Sequence, residues 1–290
     1  MKLFELENHR IEVKTPAGSI SCLEFGEGPE IAVFLHGIAT NAALWRNVLP
    51  GLSDMRRCIA MDLPLHGHTA ASDDQDLTLP GLARVLEGLC ASLGSEQVDL
   101  VANDTGGAIA QVFAAEHPER LRTLVLTNCD THDNLPPEAF VPIVEMAERG
   151  ELAPMGHQLL SDVGAARATA FGAGYEDSNA PPDDVVVSFL TPLLATLDAG
   201  RGFERLLVSL RADDLLAAEP RLRTLDVPTL VVWGTDDVFF DRKWAHWLAE
   251  TIPGVTDVVE LDGARLFFPD ERAAQLVPLV RRHWVAHPAR

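Results

Sequence analysis

Asp104 is the side chain whose type and setting are best suited to covalent chemistry. A carboxylate can attack an electrophilic carbon or remove a proton, provided that it is held clear of its own backbone. The surrounding stretch reads Val98-Asp99-Leu100-Val101-Ala102-Asn103-Asp104-Thr105-Gly106-Gly107. A short apolar run stops at Asn103, and a helical pattern (Ala108, Ile109, Val112, Phe113) begins directly after the two glycines. This is a strand, a tight turn and a helix. Such a turn lifts its central residue above the strand ends, and small neighbours let strand and helix close up. On one reading Asp104 is the nucleophile of that turn. On the other it is an acidic N-cap on a buried helix.

The elements that must position Asp104 alternate along the chain. His9 to Lys14 and Ser19 to Phe25 form a hairpin around Pro16-Ala17-Gly18. Ile31 to Leu35 is a continuous apolar strand ending on His36-Gly37, and a helix follows from Ala42 to Leu52. Cys58 to Met61 is a strand ending on Asp62, Leu79 to Leu93 a helix, and Leu121 to Asn128 a further buried strand. The pattern resumes with a strand over Thr229 to Trp233, a helix over Trp244 to Thr251, a strand over Val258 to Leu261 and a closing helix over Glu271 to Trp284. Strands alternating with helices predict an α/β fold with a mostly parallel central sheet flanked by helices. Chemistry in such sheets collects beyond the carboxyl ends of the strands, where His36, Asp62, Asp104 and Asp130 fall. Between residues 131 and 224 the alternation stops, and Pro136-Pro137 and Pro181-Pro182 each introduce a helical stretch. Residues 1–130 and 225–290 therefore read as a core, and 131–224 as a helical cap over a pocket.

The totals narrow the class of function. With 290 residues, 47% of them hydrophobic, the chain can bury one large core. A formal charge of −20 repels nucleic acid and anionic membrane surfaces, so neither is expected as a partner. No apolar run is long enough to cross a bilayer, and the start Met1-Lys2-Leu3-Phe4-Glu5 lacks the layout of a signal peptide. A cytoplasmic location is expected. Cys22, Cys58, Cys90 and Cys129 are too scattered for a zinc or redox site and read as buried thiols. No metal, cofactor or nucleotide-binding glycine pattern is expected. The oligomeric state is not legible.

With these pieces in place the chain resembles the α/β-hydrolase superfamily, and within it is most similar to the haloalkane dehalogenases and their epoxide-hydrolase relatives. Three stretches carry the likeness: His36-Gly37 with Leu44-Trp45-Arg46-Asn47-Val48-Leu49-Pro50, the Asp104 turn, and Trp233-Gly234-Thr235-Asp236-Asp237. The resemblance implies that Asp104 attacks carbon to form an ester that water then opens. It implies an oxyanion hole from the backbone N–H groups of Ile38 and Thr105. It also implies a histidine base held by an acid, for which Asp237 and Asp130 are the two candidates.

The chain departs from the family at that histidine. Where the pattern is Gly-x-Gly-His-Phe, this sequence reads Gly263-Ala264-Arg265-Leu266-Phe267, so Leu266 stands at the histidine position. Leucine cannot take a proton, and the hydrolytic step is expected to be impaired. His132, two residues beyond Asp130, is the best stand-in base. His36 is the next, although a structural role in its turn suits it better. His66, His117, His157, His246 and His283 read as packing or surface residues. Specificity features are missing as well: Ile38 and Thr105 stand where dehalogenases place halide-binding side chains. Tyr175 is the one tyrosine available to touch substrate.

The reading is an Asp-nucleophile hydrolase acting on a small apolar electrophile, with a C–halogen, epoxide or ester group. Two alternatives share the scaffold. One is a non-hydrolytic lyase, isomerase or cyclase with Asp104 as general base, a role that an apolar pocket suits by raising a carboxylate's pKa. The other is a ligand-binding protein without turnover.

Overall fold

The computed structural model describes residues 1–288, and the side chains of residues 157–159 and 161, His157 included, lie outside that description. Eight strands form one sheet: β1 (Arg10–Thr15), β2 (Gly18–Phe25), β3 (Ile31–Leu35), β4 (Arg57–Met61), β5 (Val98–Asp104), β6 (Leu121–Cys129), β7 (Thr229–Gly234) and β8 (Val255–Leu261). Their spatial order is β1-β2-β4-β3-β5-β6-β7-β8. The β1/β2 and β2/β4 pairs are antiparallel, and every pair from β4 through β3 and β5 to β8 is parallel.

The central strands are apolar because both faces are covered. Every residue of β3 and β5 is buried, whereas β8 at the edge alternates and buries only its last residue fully. Parallel pairing puts all the carboxyl ends on one side. His36, Asp62, Asp104 and Asp130 therefore stand together beyond the ends of four strands.

Two expected helices differ in form. The Ala42–Leu52 stretch folds as two short 3₁₀ turns, Ala42–Trp45 and Leu49–Gly51. The Asn41 side chain accepts from Ala43 N–H at its start, and Pro50 lacks the N–H that a longer helix would need. The closing helix runs Ala273–Ala286, and a separate turn, Phe268–Glu271, precedes it across the non-helical Arg272. Among the described residues no strand lies between Cys129 and Thr229. That segment is helical, with Val141–Glu148, Leu152–Ser161, Asp183–Leu194 and Leu197–Ser209 over the strand ends. Ala212–Leu222 instead packs on the helix Thr105–Glu116 that follows β5.

Candidate active site

The strand-to-helix turn is tight in the way that the small residues require. Asp104 adopts φ 58°, ψ −134°, outside the regions that side chains favour. The register of β5 on β6 also slips between Asn103 and Asp104. A Cβ on Gly106 would lie 2.4 Å from the His36 carbonyl oxygen, so only glycine lets the helix start sit against the end of β3.

The backbone N–H groups of Thr105 and Ile38 favour the charged form of the Asp104 carboxylate, and the loop after β3 passes close against it at Gly37. The first belongs to the helix start and the second to the loop after β3. An N-cap would bind the second or third N–H of its own helix, and Asp104 makes no such bond. N–H groups of two elements influence its carboxylate instead. Burial, then the charges of Asp130 and Asp237, push its pKa well above the usual carboxylate range; the two N–H groups act in the opposite direction.

Two further acids stand nearby in different states. Asp130 Oδ2 accepts from Thr105 Oγ1 at 2.9 Å, while its Oδ1 is buried with no hydrogen-bond partner. Burial raises Asp130 to about 7. Asp237 is saturated: Oδ1 takes the N–H groups of Phe239 (2.8 Å) and Phe240 (3.4 Å), and Oδ2 takes Asn128 Nδ2 at 2.6 Å. Burial raises it to about 6 against those donors.

Asp104 and Asp130 face an apolar chamber with about 630 Å³ of empty space, its mouth included. The helical segment contributes Phe140, Val144, Phe171, Leu207 and Leu210 to its walls. The core contributes Ile38, Phe239, Phe240, Leu266 and Phe267. Asp104, Thr105 and Asp130 supply the polar side chains among the described lining residues. Leu266 is 4% exposed, and its carbonyl accepts from Asn103 Nδ2 at 3.1 Å, which ties the loop after β8 to the end of β5.

The imidazoles and the tyrosine lie elsewhere: His36 has the structural role preferred for it, and the expectations that His132 stands in as base or that Tyr175 touches substrate are corrected. His36 is buried with both ring nitrogens engaged by main chain: Nε2 accepts from Leu63 N–H at 2.9 Å, and Nδ1 donates to the Gly37 carbonyl at 2.8 Å. Burial lowers its pKa to about 4, so it holds the Gly37–Ile38 loop as a neutral ring and has no free nitrogen for substrate. His132, with φ 54°, turns away from the chamber. Its ring lies between Asp133 and Glu219 (3.1 and 3.3 Å) and against Trp244 and Trp247. Tyr175 is buried with its hydroxyl directed at Asp270, which pairs with Arg46 at 2.7 Å. It does not line the chamber. Among the described residues no histidine lines the chamber either, and no group of three or more His, Cys, Asp or Glu is arranged to hold a metal ion.

Sequence reasoning missed the Thr105 hydroxyl, which clamps Asp130, and the Asn128 side chain, which fixes Asp237. Both link neighbouring strands whose order the sequence does not give. The aromatic pair Phe239-Phe240, one residue beyond Asp237, was the one visible signal for a wall at that end.

The model of the α/β-hydrolase fold family matches residues 33–149. A 2-hydroxy-6-oxononadienedioate/2-hydroxy-6-oxononatrienedioate hydrolase of Paraburkholderia xenovorans is 31% identical over 223 residues, 74% of this chain and 73% of the relative. The chain belongs to the α/β-hydrolase family. A cis-3-alkyl-4-alkyloxetan-2-one decarboxylase of Xanthomonas campestris pv. campestris is 27% identical in an alignment covering 96% of each chain. The fold is shared with the haloalkane dehalogenase DbeA from Bradyrhizobium elkani USDA94, with a TM-score of 0.77, 20% identity, and coverage of 96% of this chain and 97% of that one.

Proposed function

We propose that this chain is an Asp-nucleophile enzyme of its family, with Asp104 attacking the electrophilic carbon of a small apolar substrate that carries a C–halogen, epoxide or ester group. One observation carries the reading: the Asp104 carboxylate lines an apolar chamber beside Ile38 and Thr105, whose backbone N–H groups favour its charged form. An Asp104 oxygen forms the new C–O bond as the bond to the leaving group breaks. In the resulting ester the same two donors sit beside the acyl oxygen, where negative charge gathers when water adds to the carboxyl carbon.

The chamber also narrows the substrate. Its described walls offer a leaving group the Thr105 hydroxyl and Asp130 but no indole N–H or phenol, so a substrate with its own drive to open is favoured. A strained ring supplies that drive. The Xanthomonas relative is named for a four-membered cyclic ester bearing two alkyl groups, a compound that combines ring strain with an apolar body. That name favours a second reading, in which Asp104 promotes a decarboxylation that needs no water and so no imidazole. The ring breaks into an alkene and carbon dioxide with no proton gained or lost, so Asp104 would act there as a nucleophile or a charge and not as a base.

Intact-mass measurement after rapid quenching tests the proposal with 1-bromohexane, styrene oxide and a cis-3,4-dialkyl-oxetan-2-one. A covalent mass increment in the parent protein that is absent from Asp104→Asn is the expected result. Leu266→His is expected to shorten the lifetime of the adduct. Alkene release without any adduct would establish the second reading, and neither adduct nor product would overturn both.

A further inference from the structure

We propose that Asp130 is the proton-transfer residue of this site: its carboxylate takes a proton from the water that opens the Asp104 ester and returns it to the departing alkoxide. The inference rests on Asp104 being the nucleophile.

Three observations single out Asp130. It lines the same chamber as Asp104, and Thr105, the residue next to Asp104, donates to its Oδ2 at 2.9 Å. That bond fixes the carboxylate and leaves Oδ1 buried without a partner. An unpaired buried carboxylate oxygen is unfavourable unless a water or substrate group completes it. Asp237 offers the contrast: its oxygens accept from three N–H groups, and it is absent from the described chamber wall. Leu266 and the outward-facing His132 leave no imidazole for the role among the described residues.

The proton count closes. Water loses one proton to Asp130 as its oxygen bonds to the Asp104 carboxyl carbon, and the oxyanion rests on the N–H groups of Ile38 and Thr105. Collapse breaks the bond to the alkyl oxygen, the alkoxide takes the proton from Asp130, and the alcohol leaves. Asp104 then loses its remaining proton to solvent. Burial lifts Asp130 to about 7, where a carboxyl group both accepts and returns a proton near neutral pH.

The test follows adduct formation and decay separately by quenched intact mass, with styrene oxide and 1-bromohexane as probes, from pH 5 to 9. In the parent protein the ester should decay faster as pH rises through about 7. Asp130→Asn should form the adduct and hold it at least about 100-fold longer, with no pH dependence. Thr105→Val keeps the carboxylate and removes the hydroxyl that favours its charged form, so it should move the midpoint of the pH profile upward. It tests the idea independently should Asp130→Asn not fold. Parent-like decay and pH profile in Asp130→Asn, or an unmoved midpoint in Thr105→Val, would overturn the inference. So would a parent adduct that persists at every pH, although Asp104 would then stand as nucleophile. No adduct in any form of the protein would overturn both.

Discussion

At the scale of single residues, the site depends on what is absent from Gly37. A Cβ there would lie 2.3 Å from Asp104 Oδ2, so the loop after β3 comes close enough for Ile38 N–H to reach the carboxylate only because the side chain is a hydrogen. On the proposed reading, Gly37→Ala should displace Asp104 from the Ile38 N–H and slow decay of the Asp104 ester by about 100-fold or more, the effect of losing an oxyanion-hole donor. Single-turnover mass analysis measures this directly. Asp104 was legible in the sequence because its signal is local: an apolar strand, then an acid, then two glycines. The partner relationships were not. That Thr105 clamps Asp130, and that His36 is locked between Gly37 and Leu63, depends on which strands lie side by side. Nothing in residues 98–107 says that the end of β3 is the neighbour.

Elements were legible where burial on both faces imposes a continuous apolar run. β3 was expected at Ile31 to Leu35 and is found there, while β8 starts at Val255, three residues before its clearest apolar stretch. The difference is physical, since an edge strand keeps one side in solvent and mixes Thr256 and Asp257 into its pattern. β5 carries a second polar feature at its opposite end. Asp99 is buried and accepts from Arg56 Nε at 2.6 Å and Thr123 Oγ1 at 2.7 Å, with Arg122 at 3.5 Å. This network anchors the start of the strand whose last residue is Asp104. Asp99→Asn would remove the buried carboxylate shared by Arg56 and Arg122 and leave Arg56 with Glu30 at 2.6 Å, so it should lower stability by at most about 3 kcal/mol in urea unfolding. Asp99 lies five residues from Asp104, roughly 16 Å along an extended strand, so ester formation by the folded fraction should persist.

For the whole molecule, the buried titratable groups set a stability optimum. Burial holds His36 and His283 down at about 4 and His66 at about 3, below the value of 6.5 for a free imidazole. These rings stay neutral in the fold, so stability is lost as pH falls from 6.5 toward 4, when only the unfolded chain gains protons. The buried carboxyls act in reverse. Asp237 and Asp270 rise to about 6 and Asp130 to about 7, all from 3.8, and Asp104 is raised from the same value. Their contribution is complete below 3.8 and is lost as pH climbs through each folded value, because the unfolded chain has already released those protons. The two sets oppose each other up to pH 6.5. Above that Asp130 still holds its proton up to about pH 7, so stability should go on falling from about pH 6.5 at up to about 1.4 kcal/mol per pH unit. Urea unfolding at pH 6.5 and 8.5 measures the fall. The Asp104→Asn/Asp130→Asn double variant should flatten it, and an equal fall in that variant would place the destabilising charge elsewhere. On the proposed reading, the acids that act in the chamber on ionising are then the same ones that weaken the fold as they do so.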